Sequence, residues 1–130
     1  MNLLSKDLRN FFIQNSIDSG VSGIYEDEQA EREDQICIYN TGGIIPDYSF
    51  NAEEIIDNPT ASIHSIHRNR NDAEAKLLEI RELINSTTNT KIGDYFYLQF
   101  WVTSDISYIS RDSENRVLYS INIRAKRRKD

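Results

Sequence analysis

The chain has 130 residues, of which 38% are hydrophobic, and a formal net charge of −6. This length favours one domain that can bury a core without disulfides or metals, and Cys37 is the only cysteine, so no disulfide can form within the chain. The negative charge argues against a general DNA-binding protein, and no apolar run approaches the roughly 20 residues that a membrane span needs.

The first predicted element is a helix over Leu3–Gln14, because Leu4, Leu8, Phe11 and Phe12 recur at helical spacing. Charged residues lie inside this segment, so we expect it not to be a signal peptide. Short strands follow at residues 21–25 and 35–39. Between them lies an acidic loop, residues 26–34, which holds six acids and one arginine.

The middle of the chain contains the clearest change of pattern. Residues 43–58 show no period and are predicted to be a long loop. Tyr48 and Phe50 argue against complete disorder, and we expect the loop to order against a partner. Small or apolar residues then alternate along residues 59–68, as in a strand. From Ala73 the apolar residues recur at helical spacing, which predicts a second helix ending near Ser86, with Asn71 and Asp72 at its start.

A turn is predicted at residues 87–93, and the last third then reads as strands. Residues 94–103 alternate as in a strand with two different faces. One face is predicted to lie in the core and consists of Phe96, Leu98, Phe100 and Val102. The other face is amphipathic and is expected to contact a helix or a neighbouring subunit; it consists of Tyr95, Tyr97, Gln99 and Trp101. A short strand at 106–109 and a final strand at 116–125 follow, and residues 124–130 read as a basic tail. The fold class is therefore α+β: one domain, residues 1–130, with a mostly antiparallel or mixed sheet and two main helices packed on one of its faces.

Charge is divided between the two halves. Residues 1–65 carry three basic and twelve acidic residues, whereas residues 66–130 carry twelve and nine. Such a split suits charge-matched, head-to-tail association of copies of one chain. It is equally compatible with two solvated segments that contact nothing.

No pattern indicates catalysis, a cofactor or a metal. His64 and His67 are the only histidines, and their spacing places them on opposite faces of a strand. We therefore expect no enzyme activity. A cryptic site would need carboxylates such as Asp94, Asp105 and Asp112.

Three segments together resemble tail-completion or tail terminator proteins of long-tailed bacteriophages, also called minor capsid proteins. They are the strand-to-helix unit Thr60–Ile84, the strand that ends in Asn40-Thr41-Gly42-Gly43, and the closing turn and strand Asp112–Ile123. The resemblance covers about residues 36–125.

The resemblance implies a structural virion protein at the head–tail junction, assembled in the host cytoplasm. Copies would form a homo-oligomeric ring, commonly a hexamer, that ends polymerisation of the tail tube protein and contacts a head-completion or connector protein. DNA would pass through this ring without sequence-specific binding, and no membrane would be involved. Two alternatives are a head-side completion protein, and a small nucleic-acid-binding adaptor that uses the basic tail.

The residues expected at interfaces are the charged and aromatic side chains that the core does not require. They are Glu26, Asp27, Glu28, Glu31, Tyr48, Phe50, Arg68, Arg70, Tyr97, Trp101, Arg116, Lys126, Arg127 and Arg128.

Overall fold

A computed structural model of the chain describes residues 3–17, 23–29, 34–48 and 55–129, with the backbone alone at 44–48 and 55. Two helices lie in this part of the chain. Helix α1 spans Leu4–Gln14 and buries Leu4, Leu8, Phe11 and Phe12, as its spacing predicts. Helix α2 spans Arg70–Asn85 and buries Ala73, Leu77, Ile80 and Ile84.

Helix α2 begins earlier than the sequence indicated. Its N-cap is Asn69, whose side chain accepts a hydrogen bond from the backbone N–H of Asn71 at 2.9 Å. Asp72 lies in the first turn, where a carboxylate interacts favourably with the helix dipole. The cap therefore fixes the place where the preceding strand turns into the helix.

Nine strands form one sheet in the described part of the chain. They are β1 (Ile24–Glu26), β2 (Gln35–Asn40), β3 (Ile44–Tyr48), β4 (Ile55–Asn58), β5 (Thr60–His67), β6 (Thr88–Ile92), β7 (Tyr95–Val102), β8 (Ser107–Arg111) and β9 (Val117–Lys129). Strands β1 and β2 pair in parallel, and the other described pairs are antiparallel.

Strand β9 organises this sheet because it pairs with four others. Along one edge it meets β5 and then β4; along its other edge it meets β8 and then β7. The order across the sheet therefore runs β1-β2-β5-β9-β7-β6 through one half. The α+β prediction with a mixed sheet in a single domain is confirmed.

Three loop predictions are corrected. The long loop at 43–58 contains β3 and β4, which form an antiparallel pair despite Pro46. Residues 88–92, expected to be a turn, form β6. The basic segment 124–129 is not a tail but the second half of β9, because two neighbouring strands supply backbone hydrogen-bond partners along it.

The helices and the sheet share one core. Side chains from β2, β5 and β9, including Ile38, Ile63 and Ile121, join the apolar faces of α1 and α2 in one cluster. Fully burying a side chain of this size contributes about 1.5–3 kcal/mol, so the helix-facing side of the sheet supplies much of the stabilisation. No helix among the described residues is long and apolar enough to span a bilayer.

Strand β7 changes which of its residues face this core partway along its length. Its register against β9 shifts between Tyr97 and Gln99, as at a β-bulge. Because one extra residue reverses the alternation, Tyr95 and Tyr97 are buried before the shift and Phe100 after it. The prediction that Phe96 is a core residue and that Tyr95 and Tyr97 lie on the other face was wrong.

Candidate assembly surface

A buried polar cluster connects α1, β7 and the end of β9. The hydroxyl of Tyr97 donates to Asp7 Oδ2 at 2.6 Å, and Arg127 Nη1 donates to the same hydroxyl oxygen at 2.9 Å. Arg127 Nη1 also lies 3.5 Å from Asp7 Oδ2, and its guanidinium stacks 3.8 Å from the centre of the Tyr95 ring. We call Asp7, Tyr97 and Arg127 the buried triad.

The triad corrects two interface predictions. Tyr97 is fully buried and Arg127 is 6% exposed, so neither side chain is available to a neighbouring subunit. Burial, with the hydrogen bond to Asp7, raises the pKa of Tyr97 far above its ordinary value, so the phenol keeps its proton. Asp7 is 1% exposed, and its position three residues after Leu4 and four before Phe11 places it on the apolar face of α1.

A third predicted interface residue is also used internally. Arg116 is 4% exposed, and its Nε and Nη2 each lie 2.7 Å from Asp112 Oδ2. Partial burial alone would raise the pKa of Asp112, but hydrogen bonds from Arg116 and from the Glu114 backbone outweigh it and lower that pKa. Arg116 therefore stabilises the turn between β8 and β9 through Asp112. The prediction that its side chain lies at a subunit interface is corrected.

The two arginines at the strand-to-helix junction are exposed. Arg70 Nε donates to the Tyr119 hydroxyl at 2.7 Å, and the Tyr108 ring packs edge-on against Tyr119 at 5.7 Å. Arg68 is exposed on the turn between β5 and α2. A role for Arg68 or Arg70 in an interface stays a prediction.

The sheet face opposite the helices carries a different set of side chains. Arg124 lies directly across from Trp101, with its guanidinium 4.9 Å from the ring centre, and Arg128 lies across from Phe96 at the same distance. Lys126 lies two residues from Arg124 and from Arg128 in β9, so it faces the same side of the sheet, where it pairs with Gln99. We call Phe96, Trp101, Arg124, Lys126 and Arg128 the basic–aromatic face.

Each guanidinium on this face is held in place. Arg124 Nη2 donates to Asn58 Oδ1 at 3.1 Å while the group also packs over Trp101. A cation over an aromatic ring contributes about 0.5–1 kcal/mol where solvent reaches it. The five side chains are partly exposed rather than buried, so they present ordered positive charge beside apolar rings. The predicted last strand ends at Ala125, whereas the alternation of buried residues from Val117 continues to Arg127.

The acidic segment lies at the other edge of the sheet. Glu26 ends β1, and Asp27 and Glu28 follow it in an exposed turn. Asp27 accepts hydrogen bonds from the backbone N–H and the side-chain amide of Asn40, at 2.8 and 2.7 Å. We call Glu26–Glu28 the acidic turn. Of the other predicted interface residues, Glu31, Phe50 and the side chain of Tyr48 lie outside the described residues.

The polar-Gly-Gly turn brings β2 and β5 together beside α1. Gly42 and Gly43 have φ of +88° and +81°, and the N–H of Gly43 donates to Thr60 Oγ1 at 3.0 Å. A Cβ on Gly43 would lie 2.8 Å from the carbonyl oxygen of Asn58, whereas one on Gly42 would meet nothing within 4 Å. A cavity of about 260 Å³ beside this turn is lined in part by Leu3, Asp57 and Arg127.

The histidines and the cysteine serve the sheet itself. The ring centres of His64 and Tyr39 lie 4.9 Å apart with the rings tilted by 53°, and buried His67 lies with Nδ1 3.2 Å from Asp34 Oδ1. Burial lowers the pKa of both imidazoles, for His67 in spite of Asp34, so at neutral pH His67 donates Nδ1–H as a neutral ring. Burial also raises the pKa of the Cys37 thiol to about 11.

Among the described residues, the side chains considered for a metal site or a cryptic active site lie apart. No three His, Cys, Asp or Glu side chains among them are placed to hold a metal ion. Asp94 and Asp105 are exposed beyond opposite ends of β7, which at about 3.4 Å per residue puts them some 25 Å apart. The carboxylate of Asp112 accepts a hydrogen bond from Arg116 Nε. The three carboxylates named as a cryptic site therefore do not converge.

The fold is found in a solved structure. A chain from the virion of a native gene transfer agent particle matches with a TM-score of 0.64 at 9% sequence identity, covering 97% of this chain and 95% of that one. At this identity the likeness shows the fold alone. The comparison with curated protein sequences gave no match.

A family model covers most of the sequence. The model described as bacteriophage tail terminator protein matches residues 12–129, from the end of α1 to the end of β9. It includes all three segments that suggested the resemblance. The chain therefore belongs to the bacteriophage tail terminator family and is a structural protein of a phage tail.

Proposed function

We propose that copies of this chain close into a ring, a hexamer, at the head-proximal end of the tail. The ring ends polymerisation of the tail tube and joins the tail to the head, with DNA passing through it. The proposal rests on the match of residues 12–129 to the tail terminator family. The virion's head–tail junction is then the protein's location, and its partners are the tube protein and a connector protein.

The geometry supports binding rather than chemistry. The helices cover one face of the sheet, while the other face presents the basic–aromatic side chains partly exposed. Partly exposed arginine and tryptophan side chains are enriched at protein interfaces. A contact between two different patches of neighbouring copies closes into a ring when the rotation between copies allows it.

The adaptor alternative loses its structural basis. It requires a free basic tail, but residues 124–129 are hydrogen-bonded strand, and Arg127 lies in the buried triad. The remaining three cations of the basic–aromatic face are fixed at strand spacing on one surface.

The test is to mix purified chain with tail tubes and, separately, with connector protein. Native mass spectrometry should give one closed oligomer, and negative-stain microscopy should show it at one end of each tube, with tube length held constant. Binding to the connector alone would favour the head-side completion protein. A chain that stays monomeric and leaves tube growth unchanged would contradict the proposal.

Arg128→Glu provides the decisive variant, because it reverses one charge on the basic–aromatic face without touching the core. Lys6→Glu is the matched control, since Lys6 is exposed on α1 in the helix layer. We expect the first variant to lose capping at a concentration where wild type and control cap every tube. Equal capping by both variants would remove this face from the mechanism.

A further inference from the structure

We infer that the cavity beside the Gly42-Gly43 turn binds a tyrosine side chain, and that Tyr108 of a neighbouring copy occupies it. The inference rests on the proposed ring and names one contact between its copies. It starts from two features that the fold itself leaves unused: a cavity with a buried arginine in its wall, and an exposed tyrosine at the other end of β9.

The cavity is large enough for an aromatic ring. Its volume is about 260 Å³, whereas an apolar cavity of about 150 Å³ already binds benzene. The start of α1, the Gly-Gly turn, the β4–β5 connection and the end of β9 form its wall, with apolar surface from Leu4 and Pro59. Leu3 and Asp57, which also line it, are exposed and partly exposed, so the cavity opens to solvent beside them.

The polar groups in the wall match the hydroxyl of a phenol. Arg127 Nε is buried and has no hydrogen-bond partner among the described residues, and Asp57 Oδ2 lies 4.0 Å from it, too far for a hydrogen bond. A hydroxyl oxygen placed between them accepts from Nε and donates to the carboxylate. The same chemistry is already present at another nitrogen of this guanidinium, where the Tyr97 hydroxyl accepts from Nη1 and donates to Asp7.

Tyr108 is the side chain that fits this site. Five large apolar residues are exposed in the part of the chain that the structure describes, and of these Tyr108 alone carries a hydroxyl; they are Leu3, Ile13, Leu78, Tyr108 and Ile109. Tyr108 cannot reach the cavity of its own chain. It pairs with Tyr119, and Arg127 lies eight residues further along β9, which is about 27 Å at 3.4 Å per residue.

Acidic side chains border the cavity. Asp57 forms part of its wall, and Asp27 accepts a hydrogen bond at 2.7 Å from the side chain of Asn40, which also lines it. Glu26, the residue before Asp27, accepts from the Ser5 hydroxyl at 3.3 Å, so it too lies beside the start of α1. The entrance to the cavity is therefore negative.

Basic side chains border Tyr108. Its ring packs edge-on against Tyr119, whose hydroxyl accepts from Arg70 Nε at 2.7 Å. Arg111 is exposed and pairs with buried Val117, so it lies on the same side of the sheet as Tyr108 and Tyr119. Opposite charges on the two sides of a contact steer the encounter between copies and disfavour wrong pairings.

The positions of the two features make the contact head-to-tail. Tyr108 lies beside the start of β9 and the cavity lies beside its end, so each copy offers a different patch to each of its neighbours. A contact between different patches can continue from copy to copy and closes into a ring when the rotation allows it.

The first experiment measures self-association of full-length variants by sedimentation velocity over a range of concentrations. Tyr108→Phe keeps the ring but removes a hydroxyl bonded to charged groups, so the dissociation constant between copies should rise about tenfold. Asp57→Leu should also raise it, and the double variant should lose less than the product of the two single effects. Leu78→Ala, which removes an exposed apolar side chain from α2, is the control and should change nothing. Circular dichroism verifies that each variant is folded.

The second experiment tests the cavity without assembly. The probe is p-cresol, which is the tyrosine side chain as a free molecule, titrated into the Tyr108→Ala variant. It should shift the amide NMR signals of Asn40 and Gly42, and toluene, which lacks the hydroxyl, should need a concentration about tenfold higher. Equal binding of the two compounds, or binding of neither, would overturn the inference.

The outcomes separate this inference from the proposed function. If wild type forms a ring that caps tubes while Tyr108→Phe and Tyr108→Ala assemble equally well, the tyrosine contact is wrong and the proposed function stands. If wild type neither assembles nor caps tubes, the proposed function itself fails. An oligomer that stops at two copies would indicate reciprocal insertion and would overturn the head-to-tail contact.

Discussion

The buried triad predicts that the end of β9 is a stability element. Replacing Arg127 by Met removes the guanidinium that lies 3.5 Å from Asp7 Oδ2 and donates to Tyr97 at 2.9 Å. Breaking a buried ion pair by removing one partner costs about 3–5 kcal/mol. For a chain of this size, such a loss lowers the melting temperature by roughly 11–18 °C.

The control is the neighbouring residue. Arg128→Met also removes one guanidinium from β9, but on the partly exposed face over Phe96, where a cation over an aromatic ring contributes about 0.5–1 kcal/mol. Urea unfolding followed by circular dichroism measures both variants, and an unchanged dependence on urea concentration shows that the unfolded states are comparable.

A double-mutant cycle isolates the pair. Asp7→Leu alone should destabilise the chain strongly, because it leaves the buried Arg127 without that carboxylate. Asp7→Leu combined with Arg127→Met should cost less than the sum of the two single variants, by about 1.5 kcal/mol or more. If Arg127→Met is no more destabilising than Arg128→Met, or if the two single effects simply add, the ion pair of the triad does not stabilise the fold.

Three further predictions concern the sheet. Gly42→Ala should lower the free energy of unfolding by about 1–2 kcal/mol, because the positive φ of Gly42 disfavours a side chain. Gly43→Ala should lower it clearly more, because the added Cβ would also lie 2.8 Å from a backbone carbonyl oxygen, and thermal melts that rank the two variants equally would contradict this. Cys37 should resist a thiol reagent in the folded chain and react on unfolding, since it is fully buried and its pKa is raised to about 11; fast labelling of native protein would refute that. Because the pKa values of His64 and His67 are lowered from 6.5, the unfolded chain binds protons more readily, so the free energy of unfolding should fall as pH drops below about 6.5; a variant with Gln at both positions should show a flatter pH profile.

Much of the local structure follows from sequence periodicity. The helical spacing of Leu4, Leu8 and Phe12 places one face of α1 in the core without reference to any other element. The alternation from Val117 to Ile123 likewise identifies the buried face of β9. These patterns succeed because each repeats over several turns or pleats, so one buried surface decides the position of every residue in it.

The assignment of β7 could not be made in this way. Its sequence alternates apolar and amphipathic residues throughout, and the pattern alone carries no mark of the shift between Tyr97 and Gln99. The shift in the β7–β9 register places Tyr97 and Phe100 on the same, buried face. Which residues of a strand face the core depends on its register with the neighbouring strand, and that register is a property of the tertiary structure.

The candidate surface was predictable in composition but not in arrangement. The sequence determined that basic residues are concentrated at the end of the chain, that acids are concentrated at 26–34, and that Trp101 belongs to a strand. Only the tertiary structure decided that residues 124–129 continue β9, because β4 and β7 provide backbone hydrogen-bond partners along that segment. It thereby separated buried Arg127 from the outward-facing Arg124 and Arg128, since successive residues of a paired strand must face opposite sides of the sheet.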